Sequence, residues 1–417
     1  MPPAMRGQGV DRGVVAICSV LATIAVLGCT GCFSTNISTM AESEAAVGDD
    51  ESALWRQSDT MAAALRSHGY LVEEERFAAY LEQISDRLLA ADLSTLDETV
   101  RVHLARDPAL NAMALPNGDI YVMTGLVAQL RTESELAALL GHEIGHIVDR
   151  HSLRSYRHAR NKLTAANAVV FTLGMGAGAV GGQAAGSVIA GMAGAAGEFW
   201  TNVLIAGYSQ DFEYAADATG VHMLAATGYD PAASIELFER LLENQKPSAT
   251  NERPWHSTHP KLRDRIEHAR ATIDSLESSP VVRTDDETSF AQLVARAHVE
   301  NARIALAHGD YEETERCLDE SAAAGATTRT EAHAAYLRGE VARRRDGEQG
   351  FSEATAAYRN AVRLDPAFAD AYRELGMLQR SSGRPHDAAL ALQSYVDLRP
   401  DAPDRQLIES YIAVLRR

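Results

Sequence analysis

The sequence predicts a mainly α-helical chain in two parts: a helical domain with one small β-hairpin or sheet, then an α-solenoid of stacked helix pairs. Three observations carry this. A helical segment at 132–150 contains His142-Glu143-Ile144-Gly145-His146. The stretch 111–123 reads as two short strands around Pro116-Asn117-Gly118. Beyond residue 290 helical patterns recur, and one unit, 367–400, spans 34 residues.

Composition narrows the class. The 417 residues suffice for two or more domains, and 46% hydrophobic content is ample for a core. A net charge of −18 argues against nucleic-acid binding, which needs Lys and Arg for phosphate contacts. Residues 1–28 read as a secretory signal, with Arg6 and Arg12 before an apolar run at 13–28. That run ends Ala25-Val26-Leu27-Gly28-Cys29 and resembles a bacterial lipobox, with Cys29 as the acylated residue. Acyl chains there would anchor the chain without a spanning helix. A plain signal cut nearby, or an uncleaved anchor, is the other reading. Thr30 after Cys29 leaves outer-membrane sorting open. Residues 29–51 are small and polar, as in a flexible tether. With Cys18 in the signal and Cys29 acylated, only Cys32 and Cys317 remain, so no disulfide framework is implied.

The region 52–274 follows. Leu54, Met61 and Leu65, then Phe77, Tyr80, Leu81, Ile84 and Leu88, fall at helical spacing and predict two helices. Residues 100–104 alternate and predict a strand. In the hairpin, Asn111, Ala112, Met113 and Ala114 form an edge that can hold an extended peptide by strand addition. Shielding the core is an equally good account of the same edge.

Thr132 is a helix cap, with Glu135 at the capping-box position. Leu136, Leu139, Leu140, Ile144, Ile147 and Val148 supply the apolar stripe. Four residues apart on that helix, His142 and His146 can point at one ion. Glu143 can reach a water on that ion without ligating it. Chance would place this pattern in roughly a few per cent of such chains. Gly141 and Gly145 lower helix propensity and suit close approach of another backbone. A catalytic zinc takes about three protein ligands, so a third is needed. His151 lies off the metal face and reads as structural. The segment 162–198 is uncharged between its ends and rich in Gly and Ala, as in a helical hairpin near the site; membrane insertion is the alternative. At 208–217, Glu213 and Asp217 share a helical face: Glu213 suits the third ligand, Asp217 a partner for a ligand imidazole.

HEIGH, then EYAAD, with NAMALPNGDIYV upstream, together resemble the HtpX/CAAX-prenyl-protease family of gluzincin zinc metallopeptidases, over residues 52–270. Thr258-His259-Pro260, with Arg265 six residues after the histidine, extends the likeness to the BepA-type periplasmic members. The resemblance implies one zinc ion per chain and Glu143 as general base. It makes His259 a fourth ligand that latches the site or a transition-state donor, and Arg265 a group beside the metal. On its own residues His259 reads as an ordinary loop histidine before proline. Gln210 departs from the arginine many members carry, which removes one salt bridge rather than a ligand.

Residues 275–289 are polar and read as a linker before a repeat domain at 290–417. In 367–400, Tyr372, Leu375, Gly376, Gly383, Ala388, Leu392, Tyr395 and Pro400 match the tetratricopeptide pattern. The unit 332–366 matches with extra residues near 347–350, and 290–324 matches more weakly. Such arrays bind peptides or partner proteins on a concave face, or cap a neighbouring domain. BepA-type proteins pair these two regions in this order. The resemblance therefore implies a lipid-anchored endopeptidase on the periplasmic face of the envelope, with the outer membrane as the expected site. It would act on unfolded or misassembled polypeptides and meet envelope assembly machinery through its repeats. A chaperone or scaffold with a latched zinc site is the second reading. A membrane-embedded protease, with 163–197 as a spanning hairpin, is the third.

Overall fold

The computed structural model describes residues 48–90, 100–158, 208–243, 259, 261–276 and 286–417. The expected signal, Cys29, the tether to residue 47 and the glycine-rich stretch 162–198 lie outside the described residues. Among the described residues no helix is long and apolar enough to cross a membrane.

Helix α1, Asp49–Ser67, begins inside the stretch read as tether. Three acids in its first turn suit the helix dipole. Asp50 also pairs with Arg157, and Glu51 with Arg150, so these tether residues are anchored. Helix α2, Glu75–Leu89, buries Phe77, Tyr80, Leu81, Ile84 and Leu88 along one face. The sheet has three strands, β1 Arg101–Ala105, β2 Ala112–Ala114 and β3 Asp119–Met123, in the order β1-β3-β2. The first strand starts one residue later than its alternation suggests. β1 runs parallel to β3 and β2 antiparallel to it, with Met113 opposite Tyr121. Gly118 makes the tight turn at φ 83°.

Helix α3, Glu133–Val148, is buried on every side rather than along a stripe. It lies between strand β2, α2 and two later helices, α4 (Gln210–Thr227) and α5 (Ala233–Glu243), so no face meets water. Its cap stands as expected: Glu135 N donates to Thr132 Oγ1 at 3.1 Å. The Glu135 carboxylate accepts from Arg131 N at 2.7 Å, one residue before the capping-box donor, and also pairs with Arg240. The two glycines of α3 meet α4. A Cβ on Gly141 would lie 3.2 Å from Gly220 Cα, and one on Gly145 would lie 2.9 Å from Ala216 Cα. The helix breaks at Arg150, which has φ 52°, and a new one runs over 151–158.

Helix α6, Leu262–Ser275, closes this domain. The repeats pair α7 (Glu287–Ala307) with α8 (Tyr311–Ala323), α9 (Thr328–Asp346) with α10 (Phe351–Leu364), and α11 (Ala369–Ser381) with α12 (Pro385–Leu398). Helix α13, Arg405–Leu415, ends the stack. The extra residues of the middle unit form a 3-10 turn, Gly347–Gly350. Gly339 and Gly376 are glycines because Tyr358 and Leu392 pack on them: a Cβ would lie 2.5 and 2.7 Å away, respectively. Helix α7 starts at Glu287, inside the expected linker. Its Phe290, Leu293, Val294 and Ala297 join the core of the first domain. Beside them, buried Glu300 binds Arg106 and Arg296, and Arg296 also pairs with Glu74.

Candidate metal centre

Helix α3 brings His142 and His146 together edge to face, their Nε2 atoms 3.1 Å apart. Helix α4 supplies Glu213, whose oxygens stand 3.7 Å from His142 Nε2 and 3.6 Å from His146 Nε2. The close α3–α4 approach allowed by Gly145 and Ala216 sets this spacing. His259 enters just ahead of α6, with Nδ1 3.3 Å from His142 Nε2 and 3.0 Å from Glu213. Lys261, left-handed at φ 61°, lets the chain turn from His259 into α6. The donor atoms of these four buried residues lie within 4.8 Å of one another.

Around them sits a second ring of contacts. Asp217 Oδ1 is 2.8 Å from His142 Nδ1. Arg265 donates to both Asp217 oxygens, at 2.8 and 2.6 Å, and its third nitrogen is 2.8 Å from Glu213. Burial alone would raise the Asp217 carboxyl, but Arg265 outweighs it and holds the group at about 2. Burial pushes His146 well below its ordinary value, with the positive neighbours adding to this, so the ring is neutral, as a ligand must be. Burial pushes Glu143 up.

The fit to a metal rests on Glu143 and the donor set. Among the described residues both Glu143 oxygens are buried without a hydrogen-bond partner, and Oε1 is 3.9 Å from His259 Nε2. A buried carboxylate without partners is costly unless something polar meets it. Two imidazoles, a carboxylate and a third imidazole are the donors a zinc-type ion takes.

Residues 75–273 match the profile of Peptidase family M48, and 347–413 match a tetratricopeptide repeat profile. The chain carries an M48 peptidase domain. The M48 domain also resembles curated proteins. A putative beta-barrel assembly-enhancing protease of Vibrio cholerae is 28% identical over 220 residues, covering 51% of this chain and 42% of the relative. The mitochondrial metalloendopeptidase OMA1 of Schizosaccharomyces pombe is 30% identical over 190 residues, or 45% of this chain and 50% of the relative. A beta-barrel assembly-enhancing protease of Yersinia pestis is 24% identical over 234 residues, or 55% and 45%. The chain spans about half the length of the curated relatives it matches.

All seven residues expected near the ion in the M48 domain come together: His142, Glu143, His146, Glu213, Asp217, His259 and Arg265. Asn111, Ala112, Met113 and Ala114 lie on edge strand β2. Met123 N donates to Asn111 O and Leu115 N to Asp119 O, so Asn111, Met113 and Leu115 face β3. By antiparallel alternation the main chain of Ala112 and Ala114 faces the open edge. A small cleft lined by Ala114, Leu115, Pro116 and His146 joins that edge to the site. Gln210 accepts from Lys261 at 2.6 Å, so a different cation contact stands where the salt bridge was in doubt.

His151 takes the structural place read for it, and Tyr208 is a neighbour that the sequence reading did not single out. His151 is off the metal face but buried, with Nδ1 2.8 Å from His146 Nδ1. Tyr208 stacks on His146 with ring centroids 4.0 Å apart, and its hydroxyl meets Ser152 at 2.8 Å. Helical spacing takes His151 off the metal face, but its contact with His146, and that of Tyr208, depend on the helix break at Arg150 and on the approach of α4.

Proposed function

We propose that this chain is a zinc-dependent metalloendopeptidase, with His142, His146 and Glu213 as ligands and Glu143 as general base. The observation that carries it is Glu143: a buried carboxyl with no hydrogen bond among the described residues, one residue after a candidate ligand and 3.9 Å from His259 of the donor cluster. The chemistry a bound zinc ion supplies is Lewis acidity, towards water and towards a peptide carbonyl. Glu143 takes the proton of the attacking water and passes it to the leaving amine nitrogen. Its raised value favours this, since a proton carrier works best when its pKa approaches the working pH. Asp217 holds His142 through Nδ1, and Arg265 holds Asp217. The outward main chain of Ala112 and Ala114 pairs with an extended substrate beside α3. His259 Nδ1 lies inside the donor cluster. We read it as a fourth ligand that must leave before substrate enters, a latch.

The setting we read for it is the periplasmic face of the envelope, with a lipid anchor at Cys29 taken from the lipobox-like sequence and misassembled envelope polypeptides as substrates, in line with relatives named for beta-barrel assembly. The repeats would then contact envelope assembly machinery. A scaffold that works through its repeats alone has no use for a Glu143 buried beside the donor cluster.

The test uses the chain from residue 33 onward, with Glu143→Gln beside it. Bound zinc is determined, and degradation of an unfolded protein is followed. We expect about one zinc in the M48 site of both forms, and cleavage only in the parent. Cleavage retained by Glu143→Gln would refute the assignment.

A further inference from the structure

The first repeat carries a side-chain cluster that the other two lack. His298 on α7 and Cys317 and Glu320 on α8 bring a ring nitrogen, a sulfur and a carboxylate oxygen within 4.8 Å of one another. Cys317 and Glu320 are three residues apart, so one face of α8 presents both to α7. His298 is 7% exposed and Cys317 2%. His298 Nδ1 lies 3.1 Å from Glu320 Oε2 yet makes no hydrogen bond. Glu313, one turn before Cys317, accepts a hydrogen bond from the Cys317 thiol at 3.6 Å. The lone pairs of His298 Nδ1 and Glu320 Oε2, facing each other at 3.1 Å, are an arrangement that a proton or cation between them relieves. Arg316 answers only part of it. It pairs with Glu313, and with Glu320 Oε1 at 2.5 Å, from the solvent side, and donates a long hydrogen bond to Sγ at 4.0 Å, but it does not reach His298 Nδ1.

The other repeats serve as an internal control. Counted along the paired helices, the equivalents of His298, Cys317 and Glu320 are Ala335, Ala357 and Asn360 in the second unit. In the third they are Tyr372, Ala391 and Ser394. Stacking therefore does not demand this trio.

We propose that His298, Cys317 and Glu320 form a second metal site for a thiophilic divalent ion of the zinc type. Thiolate, imidazole and carboxylate are all zinc donors, and water reaching the half-buried Glu320 completes four-fold coordination. A zinc-type ion takes cysteine as thiolate, so metal uptake releases the Cys317 proton. An ion here ties α8 to α7, the helix that enters the core of the peptidase domain. It would stiffen the joint between the two regions.

The experiment counts metal on the chain from residue 33 onward, reduced and dialysed against Zn2+ alone. The expected content is two zinc ions per parent chain and one in Cys317→Ala, His298→Ala, or the double variant His142→Ala/His146→Ala. Co2+ loaded into that double variant should give a thiolate-to-cobalt charge-transfer band, which adding Cys317→Ala abolishes. Alanine already stands at the second repeat's equivalent positions, so these variants should fold; an unchanged helical circular-dichroism spectrum checks this. A Co2+ band absent from the folded double variant would overturn the site. Metal kept by the triple variant at one ion per chain would overturn it as well. The Co2+ readout does not pass through the peptidase centre, so failure of one reading leaves the other standing.

Discussion

Gly145→Ala tests whether the approach of α3 to α4 builds the candidate metal centre. The added Cβ would lie 2.9 Å from both Cα and O of Ala216. Carbon atoms rest at about 3.5–4.0 Å, so the helices must part locally by roughly 0.6–1.1 Å. That displacement falls between His146, next to Gly145, and Glu213, one turn before Ala216. Stability is a blunt readout here. Overpacking costs about 1–3 kcal/mol, and alanine returns about 1 kcal/mol of helix propensity. Ligand geometry is sharper. A shift of about 1 Å can lower activity ~100-fold, and a disturbed ligand shell weakens metal binding by ~10–100-fold. The assay is a competitive zinc titration together with kcat/KM on an unfolded protein. Gly309→Ala is the control: at φ 77°, with nothing within 4 Å, it strains the chain by on the order of 1 kcal/mol far from the site. We expect zinc affinity to fall in Gly145→Ala and hold in Gly309→Ala. Parental zinc affinity and kcat/KM in Gly145→Ala would refute the argument that helix spacing sets the centre.

Three further outcomes follow from the same structure. His259→Ala should raise the rate on unfolded protein several-fold while zinc stays bound, because the latch is gone; a lower rate would make His259 a donor to the reacting carbonyl instead. For Asp119, burial alone would raise the carboxyl, but His103 and Arg101 outweigh it and hold it at about 2, against 3.8 unfolded. A depressed carboxyl stabilises above its unfolded value and loses that as pH falls through the folded one. Asp119→Asn should therefore lose about 2 kcal/mol in urea unfolding at pH 7, the gap closing as pH falls from about 4 towards 2; a gap independent of pH would exclude the ion pair as its source. Glu300→Ala leaves Arg106 and Arg296 without their shared carboxylate, at about 3–5 kcal/mol. Thermal unfolding should then split into two steps, with the repeats freed first under limited proteolysis; one unchanged transition would mean the core of α7 holds the joint alone.

Much of this protein is written locally in its chain. His142, Glu143 and His146 were legible because helical geometry alone sets their mutual positions. Glu213 and Asp217 follow the same rule on α4, and the repeats are legible through Gly339, Gly376 and their large partners. Gly141 and Gly145 even announced a close backbone neighbour, though not that Gly220 and Ala216 supply it. Tertiary structure decided what spacing cannot reach. His151 contacts His146 only because the chain reverses at Arg150, and Tyr208 reaches the same ring from residues distant in sequence. Whether Ala112 and Ala114 face outward depends on β2 pairing with β3 rather than on their own side chains. α7 reads as the opening helix of a repeat, yet Phe290 and Leu293 lie in the peptidase core. The physical reason is common to all four: periodicity reports which face of an element is apolar, whereas its partner is chosen by packing among segments far apart in the chain.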